Sequence, residues 1–298
     1  MTVYNQVSNN KLRTGFLMLL FVVFLSFVFF LFGKYVGGRS SFLFLGFLIA
    51  LISSIGSYFY SDKIVLFSTG AKPADKKHYF DFYTVAENIS IAAGLPMPKL
   101  YVINDSSPNA FATGRDPKHA VVCATTGLLS KLNRAELEGV IAHETSHIKN
   151  YDILLSSIVS VLVGTLVLAS DWIMRSFWWR GLGDSDENRS NNPIFLVLFI
   201  LTLIIAPIVA TLIQLAVSRK REFLADASGV LITRYPEGLA NALEKISKDP
   251  NALRHVSGAN AHLFISDPFK NKKLGNKLTA LFSTHPPIEE RIRILRSI

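Results

Sequence analysis

Gly15–Phe32 reads GFLMLLFVVFLSFVFFLF, eighteen residues without a charge or a proline, inside a twenty-residue uncharged gap between Arg13 and Lys34. About twenty apolar residues rising 1.5 Å each cross the hydrocarbon core of a bilayer as a helix, so the stretch is long enough to span. A secretory signal peptide has a shorter apolar core and a small-residue cleavage site after it, and neither fits here. Three more such gaps follow. Arg39 and Asp62 enclose twenty-two residues, Asp152 and Asp171 eighteen, and Arg189 and Arg219 twenty-nine, the last turning apolar at Pro193. Proline suits the first turn of a helix. Four transmembrane helices are expected, at about 15–33, 41–60, 153–171 and 194–217. The third is the shortest, and a buried soluble helix is the alternative reading for it.

The composition agrees. Of 298 residues, 50% are hydrophobic and 18% charged, against roughly a quarter charged in a soluble domain. Disorder is excluded, and a single soluble globule would leave too much apolar surface uncovered. One cysteine, Cys123, excludes an intrachain disulfide and a cysteine metal cage. The net charge of +9 points, on so apolar a chain, to an anionic lipid bilayer rather than to nucleic acid. Residues 219–298 carry fourteen basic against eight acidic side chains, and residues 171–189 carry three against four. The basic segments mark the cytoplasmic side, and Trp172, Trp178 and Trp179 suit the opposite interface. Lys34 and Arg39 in the first short loop speak mildly against this orientation.

The expected organisation is a transmembrane hairpin at 1–61, a cytoplasmic piece at 62–152, a second hairpin at 153–217 and a second cytoplasmic piece at 218–298. In the first cytoplasmic piece, Asp75 to Ala93 has helical spacing through Phe80, Tyr83, Ala86 and Ile89 or Ser90, and stops at Gly94-Leu95-Pro96. Residues 100–103, 110–113 and 120–123 are short strand candidates. Asn133 with Glu136 resembles a capping box that opens a helix through His147, and residues 236–248 and 287–297 read as helices.

His143-Glu144-Thr145-Ser146-His147 carries the chemistry. Residues four apart share a helix face, so both imidazoles reach one ion and the glutamate lies beside it. Two neutral histidines, one carboxylate and an open position meet the demands of catalytic Zn2+, one ion per chain. Glu144 is then the base that deprotonates the attacking water. Five such residues also arise by chance, so the surroundings decide. A third ligand has to return to the same side of the membrane. Glu222, in Ser218–Asp226 directly after the fourth apolar run, does so, and Asp226 one turn later is placed to accept a hydrogen bond from a ligand imidazole. Taken alone, these two acids fit a solvated helix face equally well. The metal lies within about 10 Å of the bilayer surface, by the few residues separating His147 and Glu222 from apolar runs.

At these residues the chain resembles the HtpX heat-shock membrane metalloproteases. The similarity is carried by His143-Glu144-x-x-His147-Ile148-Lys149-Asn150-x-Asp152, Asn109-Ala110-Phe111-Ala112-Thr113-Gly114, Ser218-Arg-x-Arg-Glu222-Phe-x-Ala-Asp226 and Phe282-Ser-Thr-His285-Pro-Pro-Ile-Glu-Glu-Arg291. The resemblance implies a predominantly α membrane protein with a gluzincin-like α+β catalytic domain and a small β-sheet near the site, related in plan to the CAAX prenyl proteases. It implies a zinc endopeptidase in a bacterial plasma membrane, with both termini and the site cytoplasmic, that cleaves damaged or misfolded membrane proteins. It also implies His143, His147 and Glu222 as ligands, Glu144 as base and Asp226 as the partner of an imidazole. Where the family has leucine after the motif glutamate, this chain has Thr145.

Weaker candidates surround the motif. His262, His285 or Arg291 could assist the oxyanion of hydrolysis; His262 is favoured by the apolar Leu263-Phe264-Ile265 that follows it. Asn109, Ala110, Phe111 and Ala112 are spaced to form an edge strand above the site, able to bind extended peptide through its backbone. Oligomeric state is not legible. A non-catalytic metal-binding scaffold is the competing class, and Glu144 argues against it, because a structural zinc site has no use for a base. A transporter fits poorly, since the apolar runs carry no ionisable residue.

Overall fold

The structure, a computed structural model, describes residues 3–35, 41–181, 219–254, 256–269 and 286–298. The fourth expected span, at 194–217, and His285 lie outside the described residues.

Among the described residues, three helices are long and apolar enough to cross a membrane, within α1 (Val3–Tyr35), α2 (Ser41–Ser68) and α6 (Asp152–Gly181). Leu17, Phe21, Leu25 and Phe29, one turn apart along α1, pack on Leu155, Ile158, Leu162 and Leu166 of α6. Residues at i and i+4 lie over one another, so this stripe forms one seam. Phe16, Phe27, Phe44, Phe59 and Leu168 point outward and are exposed, as a lipid-facing surface requires. Trp172 stacks on Phe29 with ring centroids 6.0 Å apart. The run at 153–171 is therefore long and apolar enough to span and is packed as well, the most enclosed of the three.

The second span was expected to end near residue 60, yet α2 continues to Ser68. Asp62 and Lys63 end the apolar run, but charge does not stop a helix. Val65 and Leu66 then tuck beneath the sheet with Ile103, Phe111 and Phe264.

The sheet has the order β1 (Lys72–Pro73), β2 (Lys99–Ile103), β4 (Val121–Thr125), β3 (Ala110–Thr113). β2 and β4 run parallel, with Lys99 opposite Val121, and the other pairs are antiparallel. β3 is an edge strand. Its end is fixed to the membrane helix: Thr113 Oγ1 and Ser157 Oγ of α6 are 2.7 Å apart, and Gly114 N–H donates to Ser157 Oγ at 3.2 Å.

Helix α3 (Phe80–Ala93) starts five residues later than the spacing suggested. Asp75 instead closes a turn, accepting from the backbone N–H of His78 and Tyr79. The buried face is Phe82, Val85, Ala86 and Ile89, and Phe80 is 59% exposed. Phe82 and Val85 complete the i, i+3, i+4, i+7 stripe, which leaves Phe80 outside it. Gly94 ends the helix in the left-handed conformation.

After α4 (Thr126–Lys131), the capping box of α5 (Arg134–Lys149) is formed by Asn133 and Glu136 in both directions. α7 (Arg219–Thr233), α8 (Pro236–Lys248) and α9 (Ile288–Leu295) complete the described helices. Val140 and Ile141 of α5, Val122 of the sheet, Leu239 and Leu243 of α8 and Leu295 of α9 share one core. That core makes α5 a rigid platform, with the sheet, α7 and α8 packed around it.

Candidate active site

His143 and His147 stand one turn apart on α5, with ring planes at 89° and Nε2 atoms 3.2 Å apart. Their Nδ1 atoms are each engaged by a carboxylate: His143 by Asp226 Oδ1 at 2.8 Å, His147 by Asp152 Oδ2 at 3.1 Å. Asp226 is ionised. Burial opposes its charge, but the Arg291 guanidinium and the His143 hydrogen bond bring its pKa down to about 2. His143 Nδ1 must therefore be the donor, which leaves its Nε2 lone pair facing His147.

Glu222 completes the group, with carboxylate oxygens 3.8 Å from His143 Nε2 and 3.5 Å from His147 Nε2. The three donor atoms lie within 4.8 Å of one another. A tetrahedral zinc with bonds near 2.0–2.1 Å separates its ligand atoms by about 3.3 Å. Two imidazole nitrogens and a carboxylate converging at nearly that spacing fit a metal ion. Without one, a proton on His147 Nε2 has to stand in for it between the His143 lone pair and the Glu222 carboxylate in a buried space.

Glu222 and Asp226, one turn apart on α7, reach the site because α7 lies against α5. Gly229 permits this: a Cβ there would stand 3.1 Å from the His143 amide nitrogen. Behind them Arg291, fully buried, donates from Nε and Nη2 to both oxygens of Asp226 at 2.8 and 2.6 Å, and from Nη1 to the Ile265 carbonyl at 3.2 Å. All three of its nitrogens are committed to the protein. Arg291 thus holds Asp226 at two points and also stands 3.6 Å from Glu222 Oε2 through Nη1.

Glu144 is buried, and burial pushes its pKa up to about 7; Glu222 adds to the rise, while His147, Arg291 and the Ala112 backbone N–H oppose it. For His147, burial favours the neutral ring, but the Asp152 hydrogen bond and the charges of Glu222, Asp152 and Glu144 outweigh it and raise the pKa to about 9. His143 moves down, through burial and the nearby Arg291 charge. Thr145 bonds back to the Ile141 carbonyl at 2.7 Å, which satisfies its hydroxyl within the helix.

The edge strand differs from the open edge expected of Asn109–Ala112. Asn109, Ala110, Phe111 and Ala112 are all buried. The chain's own segment 264–266 lies along β3: Ile265 N–H donates to the Ala110 carbonyl at 3.0 Å, and the Asn109 side chain bonds both backbone groups of Ser266. The Phe264 ring meets Phe111 edge-on, centroids 5.0 Å apart. His262, in the short turn Ala261–Leu263, faces α6, its Nε2 3.2 Å from the Ser156 carbonyl oxygen and 3.5 Å from Ser160 Oγ.

Asp152 is a ring partner that the spacing of the motif does not single out. Its five-residue distance from His147 was the available signal, and the structure shows why it was not enough. The helix ends at Lys149, and Tyr151 takes a positive φ of 58° to swing Asp152 back under the ring.

The sequence profile of peptidase family M48 matches residues 81–298. Over 301 residues the chain is 46% identical to the protease HtpX homolog of Caldanaerobacter subterraneus subsp. tengcongensis, covering 100% of this chain and 98% of that one. It is 45% identical to the protease HtpX homolog of Thermoanaerobacter pseudethanolicus, with the same shares covered. Among solved structures, the crystal structure of S. mikatae Ste24p superposes with a TM-score of 0.50 at 16% identity, covering 98% of this chain and 66% of that one, a likeness of fold. The chain is a membrane metalloendopeptidase of peptidase family M48, of the HtpX type.

Proposed function

We propose that the metal is zinc, held by His143, His147 and Glu222, and that the enzyme hydrolyses peptide bonds of damaged or misfolded membrane proteins at the cytoplasmic face of a bacterial plasma membrane. The observation that carries the reading is the pair of Nε2 atoms 3.2 Å apart, each ring held from behind by a carboxylate, with Glu222 facing both. The depth of the site supports a membrane-surface substrate, because α6 enters its apolar run directly after Asp152. The basic excess of residues 219–298 supports the cytoplasmic orientation.

Zinc, when bound, supplies Lewis acidity that polarises the scissile carbonyl. Glu144 takes the proton from the attacking water and returns it to the leaving amine. A buried carboxylate with a pKa near 7 is matched to both tasks at neutral pH. Asp226 and Asp152 hold the ligand rings in the tautomer that turns Nε2 inward. Asn109–Ala112 form the strand along which extended peptide is aligned, once segment 264–266 gives way.

The test is zinc content and casein cleavage of detergent-purified protein, wild type beside Glu144→Ala. Both should bind about one zinc per chain, and the variant should lose at least 10²–10⁴-fold in rate, the usual share of a general base. Zinc binding without cleavage by the wild type would return the scaffold reading.

A further inference from the structure

We propose that Asn10, at the start of the first membrane helix, is a positioning residue of the metal centre. This rests on the metal reading above. Asn10 is 4% exposed and lies 142 residues before its partner. Its amide donates to Asp152 Oδ1 at 2.8 Å and to the Asn150 carbonyl at 3.0 Å. The other oxygen of Asp152 holds His147 Nδ1.

The two bonds straddle the residue that needs them. Tyr151, between Asn150 and Asp152, has a φ of 58°, a conformation that costs a bulky side chain free energy and persists where surroundings hold it. Lys11, next to Asn10, places its ammonium 4.5 Å from the centre of the Tyr151 ring. α1 thus grips the turn from both sides. Arg221 also reaches Asp152 Oδ1, at 3.4 Å, as the longer and less direct partner. An amide donor is suited to this place. It fixes one carboxylate oxygen and leaves the other to His147, without adding a charge that would compete for the metal.

The experiment uses the full chain in detergent. Zinc affinity is measured by chelator competition, and the ligand field by the d–d spectrum of the cobalt-substituted protein. Asn10→Ala is expected to weaken zinc about tenfold, the lower end of what partners of ligand imidazoles contribute, and to shift the cobalt band. Leu17→Ala loosens the same helix on α6 without touching Asp152, and should cost stability while leaving both metal readouts unchanged. Asn10→Asp keeps the volume but offers an acceptor to Asp152, so it should weaken zinc at least as far and serves where Asn10→Ala does not fold. Wild-type zinc affinity and spectrum in a folded Asn10 variant overturn the proposal. So does an equal loss in Leu17→Ala, which would reduce Asn10 to helix docking. A wild type that binds no zinc overturns the metal reading itself, and the assignment to Asn10 with it.

Discussion

Ile265 donates its backbone N–H to the Ala110 carbonyl at 3.0 Å, so the chain already supplies a partner to the strand that lies beside Glu144. An extended peptide that adds to this edge must first displace Ile265. Proline at 265 removes the donor, and Phe264, at φ −76° and ψ 143°, already has the extended conformation that precedes proline. Ile265→Pro is expected to lower KM for an extended peptide several-fold and to speed proteolysis within 256–269. An unchanged KM would mean that substrate enters without using this edge.

Local signals carried well into the structure, and Glu222 and Asp226 do meet His143 and His147, but distant pairings that no motif marks were not legible. The Asn133 and Glu136 capping box, the strands near 100, 110 and 120 and the His143/His147 pair are read from neighbours within four residues, and each occurs where its spacing placed it. The start of α3 differs because Asp75 caps a separate turn through its carboxylate and carbonyl, and the regular helix begins only at Phe80. The clasp of 264–266 on β3 pairs residues 155 apart, Asn10 and Asp152 are 142 apart, and no periodicity marks such pairs. Arg291 shows the same limit, since in sequence a cation near a metal motif looks the same whether it faces substrate or a buried aspartate.

That aspartate supplies a stability test. Asp226 is 3% exposed, and its charge depends on the two-point contact with Arg291. Arg291→Met strands the carboxylate, and removing one member of a buried pair costs about 3–5 kcal/mol. Denaturant unfolding of metal-free protein measures it. Arg291→Lys keeps the charge but loses the fork, and should fall between the two. A loss below about 1 kcal/mol in Arg291→Met would mean that Asp226 finds another partner.

Metal uptake should depend on pH through His147. With its pKa raised to about 9, the metal-free ring carries a proton at neutral pH that a metal ion must displace. Apparent zinc affinity should therefore climb about tenfold per pH unit from near 7 toward 9 and then level off. The stability of the metal-free protein runs the other way. A folded pKa above the unfolded value of 6.5 contributes stability that is full below 6.5 and lost as pH rises through about 9. Melting of metal-free and zinc-loaded protein across that window separates the two slopes. A metal-free melting temperature that rises with pH there would contradict the proton on His147.

His262 divides two roles that its position allows. Its Nε2 lies against the Ser156 carbonyl and Ser160 of α6, and it shares a short segment with Ile265. As an oxyanion partner it would have to leave α6 when the segment moves, and His262→Ala would then lower kcat by about 10²-fold with zinc content unchanged. As a tether of the segment to α6, its loss would free the clasp instead, lowering KM as Ile265→Pro does and leaving kcat near the wild-type value. Combining the two substitutions decides between them. A tether and a clasp act on one opening event, so the double variant would add little to Ile265→Pro. An oxyanion partner would still cost its full factor in kcat on the opened background, because the chemistry and the opening are separate steps.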